Sequence, residues 1–283
     1  MNELELKLKA NEIRIDIIKM LNLAGTGHTA GPLGMSDIFT VLYFDILKND
    51  PKKPSSEKRD FVFLSNGHIC PVLYVSLAHR GYFEKEKLQH LRKLGSPLQG
   101  HPHFGALAGV ENSGGPLGQG ISQAVGLAVS LKRDQKQNSV YCFTGDGELE
   151  EGQVWEAFMY ASKEKLDNLI VIVDRNHIQI DGSTEDVGGL FNLDNKFTSF
   201  GFSVIEFDGN NISQIKHAFN HAHQMRGKNK PICLLANTIP GKGVSIFESD
   251  YKWHGKTPND EETKKALEEL EIIRKKLIGA KNK

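Results

Sequence analysis

Two hydrophobic rhythms divide the chain. Apolar residues recur at helical spacing over residues 4–23, 36–47, 71–79, 121–132, 153–165, 212–225 and 260–277. Between these lie short, nearly continuous apolar runs: FVFL at 61–64, VYCFT at 140–144, LIVIVD at 169–174, FSVIEF at 202–207 and ICLLAN at 232–237, each of which predicts a strand. Ser36 stands where the second helix needs an N-cap, and Pro71 falls in the first turn of the third. Strands that alternate with helices, and runs such as LIVIVD with no polar face, predict an α/β fold: a mostly parallel sheet with helices on both faces. No repeat or linker interrupts this pattern, so a single domain over 1–283 is expected, with an N-terminal helix and a C-terminal helical tail.

In parallel sheets ligands bind beyond the carboxyl ends of the strands. The unusual loops fall there: SNGH at 65–68, GDG at 145–147, DRNH at 174–177 and NTIPGKG at 237–243. Two further stretches read as loops, AGTGHTAGPLG at 24–34 and the glycine- and histidine-rich run at 93–120. A structureless segment as long as the second is functional or disordered. Its near absence of Lys and Glu beyond Lys93 argues for function.

Bulk properties narrow the class. Lys+Arg and Asp+Glu are both 35 in 283 residues, so the net charge is zero. This leaves no basic footprint for nucleic acid or a membrane surface. No apolar run approaches the ~20 residues of a membrane span, and the charged N-terminus lacks a signal core. Cys70, Cys142 and Cys233 have neither disulfide nor metal spacing, which suits a reducing cytoplasm. Charge neutrality is also compatible with an oligomer.

The segment GDGELEEGQVWEA, 145–157, crowds five carboxylates past a strand end. Asp146 lies between two glycines, and a lone carboxylate there suits Mg²⁺, which takes one or two carboxylates plus phosphate oxygens. Asn176 on the next strand end, and the carbonyl of Ile178, supply neutral oxygens if the strands are neighbours, roughly 5 Å apart. Gly147 lets a phosphate group approach the backbone. Glu148 and Glu150 are expected as solvated charges at a helix start, while Glu151 and Glu156 are either helix charges or interface acids.

Histidines 28, 68, 101, 103, 177 and 254 all sit in loops rich in Gly or Pro. The fold would gather His28, His68, His101 and His254 at one sheet edge. They are scattered singly, so proton transfer or hydrogen bonding suits them better than zinc; HPH at 101–103 is a weak metal candidate.

The stretches GHTAGPLG, LSNGH, GHPHF, GPLGQG, GDGELEEGQVWEA, DRNHIQIDG and NTIPGKG…KWHGKTPNDEE run in order over nearly the whole chain. Together they resemble transketolases, specifically the N-terminal, diphosphate-binding half found in split two-subunit enzymes. GDG followed by Asn is common to thiamine-diphosphate enzymes at large; the other stretches are more specific. The resemblance implies ketol transfer between sugar phosphates, with thiamine diphosphate and Mg²⁺ (or Ca²⁺ or Mn²⁺ in its place). It implies Asp146, Asn176 and Ile178 as metal ligands. It assigns His68, His254 and Gly147 to the diphosphate side, and Gly115 and Leu117 to the aminopyrimidine edge. His28 and His101 would meet ketose hydroxyls, and Glu151, with Glu156 as a second candidate, would enter a carboxylate network between active sites. The family usually reads Gly-His-Pro where this chain has Gly27-His28-Thr29, so the rigidity of that loop and the direction of His28 are expected to change.

The resemblance also implies that the glutamate protonating the pyrimidine ring, and most residues for the sugar phosphate, belong to a separate C-terminal subunit, in an α₂β₂ assembly inactive without it. A 2-oxoacid dehydrogenase alpha chain would share GDG and Asn but not GHP or GPLGQG. Deoxyxylulose phosphate synthase-like enzymes and specialised sugar transketolases stay open; Asp146, Asn176 and the four loop histidines argue against a non-catalytic relic. No GxxxxGK[ST] supports a P-loop enzyme.

Overall fold

The computed structural model describes residues 1–281. Among them are strands β1 (Phe61–Leu64), β2 (Val140–Gly145), β3 (Leu169–Arg175), β4 (Ile178–Gln179), β5 (Gly182–Ser183), β6 (Ser203–Asp208) and β7 (Ile232–Asn237). Five of these form one parallel sheet in the order β1-β2-β3-β7-β6, and β4 pairs with β5 as a small antiparallel hairpin. The sheet register sets Leu64 beside Phe143, Gly145 beside Asp174, and Arg175 beside Asn237. Every strand of the five is parallel, so the SNGH, GDG, DRNH and NTIPGKG loops all leave the same edge.

Successive side chains of a strand point to opposite faces. Tyr141, Phe143, Ile170, Ile172, Ile232 and Leu234 enter one core, together with residues of α1 (Glu3–Ala24), α2 (Ala30–Gly34), α3 (Ser36–Val41) and α4 (Cys70–Arg80). Val140, Cys142, Val171, Val173, Cys233 and Leu235 enter the other, against α5 (Gln119–Arg133), α6 (Gly152–Lys163), and Leu193 and Phe197 on a short later helix. Burial on both faces is why these strands read as unbroken apolar runs.

The helices show where sequence periodicity fails. Residues 24–34 are not all loop: Ala30–Gly34 is helical and runs almost directly into α3, which ends in a π-helical turn, Leu42–Ile46. Glycine serves close packing here. A Cβ on Gly34 would lie 2.9 Å from the Ile239 carbonyl oxygen, and one on Gly31 would lie 2.9 Å from the Ile69 side chain. Ser36 is consequently no N-cap; its hydroxyl donates back to the Pro32 carbonyl at 2.9 Å. Residues 178–201 hold the β4–β5 hairpin, α7 (Thr184–Gly188) and α8 (Leu193–Ser199), all too short for a periodic signal. After β6 come α9 (Ile212–Gln224), β7 and α10 (Asp260–Lys281), the last buried against α1 through Ala266 and Leu270.

The long loop between α4 and α5 is fastened by specific bonds. The Asn112 amide accepts from the Leu64 N–H at 3.0 Å and donates to the Leu64 carbonyl at 2.9 Å, covering the open edge of β1. No described helix is long and apolar enough to cross a membrane.

Candidate active site

At the end of β2, Asp146 is 1% exposed. Its carboxylate accepts from the Gly147 N–H at 2.8 Å, the His177 N–H at 2.8 Å and the Arg175 guanidinium at 3.2 Å. Burial pushes its pKa up to about 6 against those partners. Asp174, fully inside the same edge, accepts from the Thr238 hydroxyl at 2.5 Å and the Asn176 amide at 2.8 Å. Burial raises it to about 7, and the neighbouring Asp146 adds to the rise. With its NH₂ held by Asp174, the Asn176 oxygen accepts from the Ile178 N–H at 3.0 Å and keeps a second lone pair. Asp146, Asn176 and Ile178 thus share one strand-end cluster. The residues fit a divalent cation: burial makes both acids bind protons unusually well, the Arg175 guanidinium offsets this at Asp146 alone, and a cation would hold Asp146 ionised. Arg175, which also pairs with Glu185, gave no signal in the sequence beyond its place in DRNH.

A backbone cradle adjoins this cluster. A Cβ on Gly67 would lie 2.9 Å from the Gly115 nitrogen and 3.0 Å from the Gly114 Cα, so the SNGH and GGPLG loops cross main chain on main chain. Gly115 has φ 127°, open to glycine but not to other residues without strain. Asn66 is fully buried, yet neither polar atom of its amide has a partner. An unpartnered buried amide beside a glycine cradle suits a polar ligand with phosphate and ring nitrogen groups, as thiamine diphosphate has. Leu117 is 38% exposed, leaving one wall of the cradle open.

Four histidines from four loops meet at the same edge. Ring centroids lie 5.2 Å apart for His28–His68, 6.1 Å for His28–His101, 5.7 Å for His28–His254 and 5.0 Å for His68–His254. Burial, then mutual repulsion, lowers His28 to about 4 and holds His68 well below the usual imidazole range. Burial also lowers His101 and His254. All four are neutral at neutral pH, each with one donor and one acceptor nitrogen, and His28 Nδ1 is buried without a partner. Arg92 stands beside them, its guanidinium on the Gly100 carbonyl and the Thr26 hydroxyl, at 3.3 Å each, with no carboxylate paired to it among the described residues. His103 and His177 are exposed and outside the cluster, and no described group of three or more His, Cys, Asp or Glu is arranged to hold a metal.

A depressed imidazole pKa makes the folded state bind fewer protons than the unfolded one. Its stability contribution is therefore present above about 6.5 and is lost as pH falls from there toward 4. Thermal midpoints should fall across that window, and His28→Asn should make the fall shallower; an unchanged slope in the variant would remove His28 from the account.

Glu148 corrects an expectation. It is 2% exposed, not solvated. The GDG bend turns residues 147–150 inward as a 3-10 turn, where the Glu148 carboxylate accepts from the Ser65 hydroxyl at 2.5 Å, the Gly118 N–H at 2.7 Å and the Gly145 N–H at 3.0 Å. It joins the SNGH loop, the α5 entry and the β2 end, and burial raises its pKa. Glu148→Ala should destabilise the chain by about 3 kcal/mol in a denaturant titration, because two buried N–H groups lose their acceptor; Glu148→Gln should recover part of that. Glu150, by contrast, is exposed and accepts from the Gln179 amide at 3.0 Å. Glu151 and Glu156 lie exposed at the start and on the outer face of α6, beside Met159 and Tyr160, which are 58% and 42% exposed.

With that geometry in view, comparison with known proteins is informative. Residues 6–276 match the family model described as the transketolase thiamine diphosphate binding domain. The chain is 39% identical over 269 residues to SqwG of Clostridium sp. (strain MSTE9), a subunit of a 6-deoxy-6-sulfo-D-fructose transketolase, covering 95% of this chain and 97% of that one. It is 40% identical to one of the subunits of the apulose-4-phosphate transketolase of Actinobacillus succinogenes, covering 95% and 96%. Against human transketolase the identity is 36%, over 89% of this chain but 40% of the human protein. The crystal structure of transketolase from Campylobacter jejuni superposes with a TM-score of 0.89 at 36% identity, covering 96% of this chain and 43% of that one.

Proposed function

The chain belongs to the transketolase thiamine diphosphate-binding domain family, and on that premise we propose that it is the diphosphate-binding subunit of a two-subunit transketolase. In this reading it works with thiamine diphosphate and Mg²⁺ to move a two-carbon ketol unit from a ketose phosphate to an aldose phosphate. The observation that carries the reading is the meeting of four neutral imidazoles at the sheet edge that also buries Asp146. Two relatives named as subunits match over nearly their whole length, which supports the two-chain organisation.

Thiamine diphosphate, when bound, supplies the nucleophilic carbon and the electron sink that let a carbon–carbon bond next to a carbonyl break. Asp146, Asn176 and the Ile178 carbonyl would hold Mg²⁺. The main chain at Gly115 and Leu117 would receive the aminopyrimidine edge, and the cradle walls, including Gly147, the diphosphate. His68 and His254 would touch the cofactor's diphosphate and the neighbouring substrate. His28 and His101 face the ketose hydroxyls, and a neutral imidazole can accept a hydroxyl proton there. The unpaired charge of Arg92 suits a ketose with an anionic end group, a class to which the named substrates of both relatives belong. Glu151, with Glu156 beside it, would join the carboxylate network toward a second active site, in an α₂β₂ enzyme of the cytoplasm. The test is two-carbon transfer by the chain mixed with its complementary subunit, thiamine diphosphate and Mg²⁺; transfer that persists without thiamine diphosphate would overturn the reading.

A further inference from the structure

Thr29 is fully buried. Its hydroxyl donates to the Lys256 carbonyl at 2.6 Å, across 227 residues of sequence. Among the described residues this is the one hydrogen bond between the turn carrying His28 (26–29) and the segment carrying His254 (251–257). The two segments are in close contact. A Cβ on Gly255 would come within 4.0 Å of the His28 ring, and one on Gly27 within 3.6 Å of the Thr257 methyl. Gly27 has φ 146°, a conformation that strains other residues, and a Cβ there would also lie 2.6 Å from the Leu21 side chain. His28 Nδ1 is buried without a hydrogen-bond partner, so no bond on this nitrogen holds the ring. Proline would not substitute simply: Thr29 has φ −106°, well away from the value near −65° that a proline ring imposes.

We infer that Thr29 is a positioning residue, whose hydroxyl fastens the His28 turn to the His254 segment and so sets the spacing between the imidazole proposed to face the ketose and the one proposed to face the diphosphate. Where proline would stiffen the turn through its own ring, this chain ties the turn to a second, distant segment. The side chain itself touches no reacting atom; it acts through His28 and His254. The inference rests on the proposed function for its kinetic consequence and on the structure alone for its positional one.

The experiment uses three variants of the full chain: Thr29→Val, which keeps the shape and removes the donor; Thr29→Ser, which keeps the donor; and Thr29→Pro. In ¹⁵N-histidine-labelled chain without substrate, Thr29→Val should shift the ring resonances of His28 and His254 and leave those of His177 and His223 in place, while Thr29→Ser should return them. In the assembled enzyme Thr29→Val should raise KM for the ketose about fivefold to tenfold, the scale of one lost hydrogen bond, with kcat changed less. Thr29→Ser should restore KM, and Thr29→Pro should not. Unmoved His28 and His254 resonances in Thr29→Val, or equal impairment in the Val and Ser variants, would overturn the inference. So would a large fall in Tm with shifts at all imidazoles, since that would make Thr29 a general packing residue. If the wild-type enzyme transfers no ketol unit, the proposed function fails, and the resonance comparison alone decides the role of Thr29.

Discussion

Asp146→Ala is expected to lose Mg²⁺-dependent thiamine diphosphate binding by at least about 100-fold, and transfer activity with it. The basis is the concentration of roles on one carboxylate. Asp146 is the deepest acid at the β2 end, and it receives two backbone N–H groups and the Arg175 guanidinium. Loss of outer-shell partners alone costs metal sites about 10–100-fold, so loss of the carboxylate should cost more. Asp146→Asn separates charge from shape. Its single amide oxygen can accept from one of the His177 and Gly147 N–H groups, which reach different carboxylate oxygens of Asp146, so part of the local bonding should survive while the metal affinity falls. Calorimetric titration of the cofactor into the assembled enzyme, with and without Mg²⁺, reads both variants. An Asp146→Ala enzyme with wild-type affinity would remove this residue from the metal site.

The second large effect concerns the partner. The cradle formed by Asn66, Gly67 and Gly115 is open on the side of Leu117, and α6 turns Glu151, Glu156, Met159 and Tyr160 outward. Exposed apolar side chains grouped with acids beside a candidate site mark a surface suited to a covering chain. The relatives named as subunits match from end to end, whereas in human transketolase the matched stretch makes up 40% of the protein. Both observations support an active site shared with a complementary subunit. Without it, the pyrimidine end of the cofactor would keep only the main chain at Gly115 and Leu117 and would lack the proposed proton-donating glutamate, and turnover should fall to background.

Much of the fold was legible in the chain because buried parallel strands are written as unbroken apolar runs: β1 and β7 have the boundaries predicted from FVFL and ICLLAN. His68 and His254 come to the carboxyl edge by the same logic, since they follow β1 and β7, whereas His28 and His101 lie in loops between helices and are brought to that edge by tertiary packing. Two kinds of feature were hidden. Glycines read as loop formers, so α2 was obscured; Gly31 and Gly34 are there because Ile69 and Ile239 lie against them, a tertiary fact. Charges read as solvent-facing, so Glu148 looked like a helix-start acid. Only the meeting of Ser65, Gly118 and Gly145 around it, from three separate segments, accounts for its burial. Arg175 was concealed for the same reason, its partners Asp146 and Glu185 being set by strand register and the α7 turn. Thr29 was visible as a departure from Gly-His-Pro, but the bond to Lys256 that gives it a structural role spans nearly the whole chain.

As the proposed diphosphate-binding half of a two-subunit transketolase, the chain should depend on its complementary subunit for turnover. The most direct measurement is two-carbon transfer from a ketose phosphate to an aldose phosphate, in the presence of thiamine diphosphate and Mg²⁺, by the purified chain alone and by the chain reconstituted with its complementary subunit. The account predicts background turnover for the chain alone and sustained, cofactor-dependent turnover for the pair. Equal turnover by the isolated chain, or none by the reconstituted pair with any anionic ketose, would contradict it.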